Sequence, residues 1–97
     1  MNKYERHAII VNQEGSYIGR ETYNYFCQLL GPPIDEDTSV SSTFGHEWRY
    51  RFTNGYDEVI LVDAMNSERS MVQIDFKKGT DLNPSECMQR LHEILRK

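Results

Sequence analysis

Apolar and polar positions alternate most sharply between residues 46 and 53. Trp48, Tyr50 and Phe52 fall on one side and Glu47, Arg49 and Arg51 on the other. A period of two predicts a strand with one apolar face. Asn54-Gly55 follows, a pair that tolerates the positive φ of a two-residue hairpin turn. The pattern therefore predicts a hairpin, with residues 56–64 as the returning strand. Asn66-Ser67-Glu68-Arg69 marks a second turn. Across residues 70–77, Val72, Ile74 and Phe76 alternate with Gln73, Asp75 and Lys77. That predicts a third strand and an antiparallel meander.

Upstream, His-Ala-Ile-Ile-Val in residues 5–12 is short, continuous and partly β-branched, as a strand would be. A turn is expected at Gln13-Glu14-Gly15-Ser16. Residues 19–30 switch to helical spacing, with Thr22, Phe26, Leu29 and Leu30 on one face and Tyr23 and Cys27 widening it. Gly31 suits the position after a helix, and Pro32-Pro33 prevents continuation. Residues 34–45 open with Ile34-Asp35-Glu36-Asp37 and run on through Ser and Thr. They are read as a surface loop with room for one short edge strand. A last helix begins with Asn83 as N-cap, Pro84 at N1 and Glu86 at N3. Its apolar stripe is Cys87, Leu91, Ile94 and Leu95, with Met88 beside it, and Arg90, Arg96 and Lys97 suit the negative end of its dipole.

The expected fold is a single α+β domain over residues 1–97. It is a two-layer sandwich in the order β-α-β-β-β-α, with a three-strand meander and both helices on one face. A two-residue turn would pair Thr53 with Tyr56, Arg51 with Glu58, Arg49 with Ile60 and Trp48 with Leu61. Trp48, Tyr50, Val59, Leu61, Val72, Ile74 and Phe76 then face the helices. Trp48, Leu61, Ile74, Phe26 and Leu91 are expected to be buried together. The other face carries Glu47, Arg49, Arg51, Glu58, Ile60, Val62, Gln73, Asp75 and Lys77. An apolar centre of Ile60 and Val62 between charged flanks suggests a cover: the 34–45 loop, a protein partner, or a second copy forming a homodimer.

Composition narrows the classes. The 97 residues allow one core. The longest apolar runs, Ala8–Val11 and Val59–Val62, are far short of the roughly 20 residues of a spanning helix. The first residues show neither the apolar stretch nor the cleavage site of a signal peptide, so a cytoplasmic location is expected. The formal charge of −4 argues against nucleic acid held on a basic surface and is compatible with a basic partner or with no charged partner at all. Cys27 and Cys87 are read as reduced, buried thiols. His7, His46 and His92 lack metal-ligand spacing, so no structural zinc or other cofactor is expected.

One constellation carries chemistry. Glu58, at the start of one meander strand, and Asp75-Phe76-Lys77, on the next, resemble the motif of the PD-(D/E)XK nucleases. The resemblance spans roughly residues 55–95 and includes Gly79 and the Leu82-Asn83-Pro84 lead into a helix, as in the small virus-type members. It implies a divalent metal on Glu58 and Asp75, with Lys77 positioning the attacking water or stabilising charge. Asp57-Glu58 stands where that family has Pro-Asp, and the spacing after Lys77 is one residue short. Val59-Ile60-Leu61-Val62-Asp63 is similar to a Walker B strand, but no glycine-rich Lys-Ser/Thr loop accompanies it, and it is read as a buried strand ending in a polar residue. In the 13–19 turn, Gly15 and Gly19 are read first as permitting a tight turn; the alternative is an anion or small-ligand site on its backbone N–H groups. His46 is placed near Asp63 across the hairpin.

The reading favoured by elimination is a small acidic, non-enzymatic protein-binding module that inhibits or regulates a partner. Its expected contacts are Asp35, Glu36, Asp37, Arg49, Arg51, Ile60 and Val62. Small immunity proteins and phage anti-defence proteins share this size and charge. The alternative is the metal-dependent nuclease using Glu58, Asp75 and Lys77.

Overall fold

The computed structural model of the chain describes residues 3–13, 17–39 and 45–96. Along these run β1 (Tyr4–Val11), α1 (Ile18–Leu30), β2 (Asp35–Ser39), β3 (His46–Thr53), β4 (Glu58–Met65), β5 (Ser70–Lys77) and α2 (Pro84–Leu95). The strands form one open antiparallel sheet in the order β1-β5-β4-β3-β2. Both helices pack on the same face, so the α+β sandwich with its central meander is present. The stretch read as a surface loop with room for a short edge strand supplies that strand as β2, which pairs with β3 at one edge of the sheet. Residues 40–44 of that stretch, and 14–16 of the 13–19 turn, lie outside the described residues.

The first hairpin departs from expectation. Thr53 pairs with Glu58, Arg51 with Ile60, Arg49 with Val62 and Trp48 with Asp63. The connection is therefore four residues long, Asn54 to Asp57, rather than two. The cause is side-chain chemistry. Asn54 Oδ1 accepts from the backbone N–H groups of Tyr56 and Asp57, at 3.0 and 2.8 Å, and Asp57 is held in turn. This Asx-type turn competes with the tight two-residue form. Gly55 still supplies the positive φ, at 95°. The register moves by two residues, one full period of the strand, so every side chain stays on its expected face.

The core lies between the helices and the covered face. Phe26, Phe52, Leu61, Ile74, Phe76 and Leu91 are buried within it. The Phe26 ring stands 5.8 Å from Phe52 and 6.0 Å from Phe76. Two expectations change here. Trp48 is half-buried and Phe52 takes its central place. Trp48 pairs with Asp63, a polar position towards the open end of the sheet, and stacks on His46 instead. Leu29 is exposed, whereas Leu30 next to it is buried. The α2 cap is as expected: Asn83 Oδ1 accepts from Glu86 N at 3.2 Å, with Pro84 opening the helix. Among the described residues α1 has no side-chain N-cap, and it ends at Gly31, where φ is 85°.

Candidate functional site

The helix-free face gathers most of the residues singled out by the sequence. Across it run Arg6, Asp75, Ile60, Arg51 and Asp35, and beside them Ala8, Gln73, Val62, Arg49 and Asp37. Its charges answer one another. Tyr4 donates its hydroxyl to Glu58 Oε2, and Arg51 Nη2 donates to Glu58 Oε1 at 2.9 Å. Burial works to raise the Glu58 pKa, but those two donors outweigh it and hold the carboxyl below its ordinary value. Arg6 clasps Asp75 at two points, Nε to Oδ1 at 2.9 Å and Nη2 to Oδ2 at 3.2 Å. Arg51 also lies 3.5 Å from Asp35, and Arg49 lies 3.7 Å from Glu47.

Glu58 and Asp75 thus share a face, as the alternation implies, with exposed Lys77 on the same side. Each carboxylate already holds an arginine, which a divalent cation would have to displace. Among the described residues, no cluster of three or more His, Cys, Asp or Glu side chains could hold a metal. The apolar centre of this face is mostly covered within the chain. Val62 is 2% exposed and Ile60 is half-buried.

β2 behaves differently. Asp35, Glu36 and Asp37 are all exposed on this edge strand. Asp35 leans on Arg51, whereas Glu36 and Asp37 make no ion pair or side-chain hydrogen bond among the described residues.

The register turns Glu36 towards the helices, where it borders a cleft that the sequence reading did not find. This open cleft of about 300 Å³ lies between α1 and strands β2, β3 and β4. Gly19, Arg20, Tyr23, Glu36, Tyr50 and Asp63 line it. Asp63 pairs with Trp48 and Val72, so it stands in phase with Val59 and Leu61 on the covered face. It is half-buried and makes no ion pair or hydrogen bond among the described residues. Burial pushes its carboxyl above the ordinary range. The carboxylate lies so close to α1 that any side chain at Gly19 would collide with it. The Tyr23 and Tyr50 rings meet edge to face, 4.9 Å between centroids. Burial raises the Tyr50 pKa, and Asp63 and Glu36 add to the rise. Arg20 is mostly solvent-exposed, with its guanidinium 4.0 Å from Glu21.

The signal for this cleft was a carboxylate in core phase. Alternation that puts Val59 and Leu61 inside must put Asp63 inside too. The remaining candidates do not converge. His46 pairs with Met65 and stacks on Trp48, 6.2 Å between centroids, rather than meeting Asp63. Cys27 and Cys87 are both free thiols; burial raises the Cys87 pKa, which keeps it unreactive. Tyr17 and Tyr56 donate to the backbone carbonyls of Leu95 and Gly79, at 2.6 and 3.3 Å. No helix among the described residues is long and apolar enough to cross a membrane. No protein-family model matches this chain, and no curated protein matches it.

Proposed function

We propose that the chain is a non-enzymatic binding module that inhibits or regulates a basic protein partner, met along the β2 edge. One observation carries this reading. Glu36 and Asp37 have no cation among the described residues, while Glu47, Glu58 and Asp75 on the helix-free face each have an arginine. Acids on a free edge repel a second copy of the same strand. They attract a basic one, which can also pair with the open main-chain groups. The nuclease alternative lacks comparable support, because both of its metal ligands are already clasped by guanidinium groups.

The test starts by cross-linking the native chain in its host and identifying the partner by mass spectrometry. Association is then timed for the native chain and for Asp35→Asn/Glu36→Gln/Asp37→Asn. At low salt the variant should associate about tenfold more slowly or worse, because steering by unscreened charge acts on the on-rate. The gap should close as salt rises and the screening length shrinks. Equal rates at both salts would reject the β2 edge as the contact surface.

A further inference from the structure

Three locally unfavourable choices meet at one spot on the helix side of the sheet. Asp63 occupies a core-phase position yet makes no ion pair or hydrogen bond among the described residues. Gly19 stands inside the first turn of α1, where glycine weakens a helix relative to alanine. Glu36 is aimed at the same space from β2, which adds like charge to a half-buried carboxylate. A fold selected for stability alone would place an apolar residue at 63 and alanine at 19. Sites that break local rules together are where function is expected to reside.

We propose that this cleft is a socket for one guanidinium group, an arginine side chain presented by the protein partner; the inference rests on the binding-module reading. The lining suits that group on four counts. Asp63 and Glu36 bring two carboxylates, and Arg20 at the rim is already set against Glu21, so the cleft keeps an excess of negative charge for an added cation. A guanidinium can donate two parallel hydrogen bonds to a single carboxylate, which a compact ammonium cannot match. The Tyr23 and Tyr50 rings offer π surface over which a planar cation is attracted. The cleft, about 300 Å³ and open to solvent, has room for an arginine side chain to enter from the surface. A bound cation would also relieve the cost of keeping Asp63 charged while half-buried, so the side chain that strains the free protein becomes the anchor of the complex.

The test uses the whole chain and a small probe. N-acetyl-arginine amide is titrated into ¹⁵N-labelled protein, and backbone amide shifts are followed. Saturable shifts centred on Gly19, Tyr23, Tyr50 and Asp63 are expected, with weak, millimolar-range affinity for a single side chain. The citrulline counterpart, nearly the same shape without the charge, should bind at least about tenfold more weakly. Asp63→Asn should lose at least about tenfold towards arginine while its spectrum remains that of a folded protein. Should that variant fail to fold, Glu36→Gln on the exposed strand decides, with a several-fold loss expected. Equal responses to the arginine and citrulline amides, shifts centred outside the cleft, or full affinity in folded Asp63→Asn would each overturn the socket. The probe contains no partner, so its failure leaves the β2 association rates standing. Conversely, arginine binding alongside salt-insensitive association would reject the β2 edge and keep the socket.

Discussion

Asp57 ties the tip of the first hairpin to the segment entering α2, and removing it should cost the protein more than its loop position suggests. Its Oδ1 accepts from Leu82 N at 3.0 Å, and its Oδ2 accepts from Asn54 Nδ2 at 3.2 Å. The residue is 9% exposed, so water replaces these bonds poorly. A hydrogen bond to a charged group contributes about 1.5–3 kcal/mol. Asn54 is exposed and recovers its partner from solvent, so the Leu82 bond dominates. Asp57→Ala should therefore destabilise the chain by about 2–3 kcal/mol. For a domain near this size that is a fall in Tm of roughly 10–20 °C. Asp57→Asn keeps an acceptor oxygen and should lose about half as much.

Acid supplies the internal control. Burial works to raise the Asp57 pKa, but donation from Asn54, Thr80 and the Leu82 and Asp81 backbone together outweighs it, and the folded pKa lies below the ordinary value. A carboxyl with a depressed folded pKa stabilises fully above its unfolded pKa, about 3.9. The contribution fades as pH falls through the folded value. The gap between the native chain and Asp57→Asn, read from urea melts by circular dichroism, should be constant from pH 7 to about 5 and shrink below about 4. If Asp57→Ala costs less than about 0.5 kcal/mol at pH 7, or the gap to Asp57→Asn ignores acid, the tie carries no stability and the argument fails.

Two further outcomes can be checked. Leu61 is fully buried at the centre of β4, and Leu61→Ala should cost about 2–5 kcal/mol in urea melts; an unchanged midpoint would mean that the core faces the other way. Millimolar Mg²⁺ or Mn²⁺ should leave Tm within about one degree and support no cleavage of DNA or RNA, because linkage needs a site that prefers the folded state and Glu58 and Asp75 are already engaged. A metal-dependent rise that Asp75→Asn abolishes would instead establish the nuclease.

The strand and helix pattern was legible because its signals were redundant. β3 and β5 alternate over eight residues each, and Asn83-Pro84 with Glu86 announces α2. The hairpin register was not, because it turned on competing side chains in one loop. Asn54-Gly55 signals a two-residue turn, but Asn54 Oδ1 found two N–H donors in a wider one. β2 was hard to see because Asp35-Glu36-Asp37 has low strand propensity; pairing with β3 supplies what the local sequence does not. On the helix-free face, alternation correctly put Glu58 and Asp75 on one side. It could not show that Arg6, distant in sequence, would reach Asp75 through β1.

The same alternation explains why the cleft went unnoticed. A run such as Val59 to Val62 reads as a buried strand on both faces, and a terminal Asp then reads as the point where the strand surfaces. In the fold, β4 continues to Met65, so Asp63 is interior to the strand and faces the helices. A carboxylate with no partner among the described residues opposes folding there at neutral pH, since its raised pKa means that the folded state favours the protonated form. The penalty should be relieved as pH falls through that raised value, the opposite sign to Asp57. Two aspartates, one within β4 and one at the hairpin tip, thus respond to acid in opposite directions: Asp57 is held charged by donors that build the fold, and burial works against the charged form of Asp63.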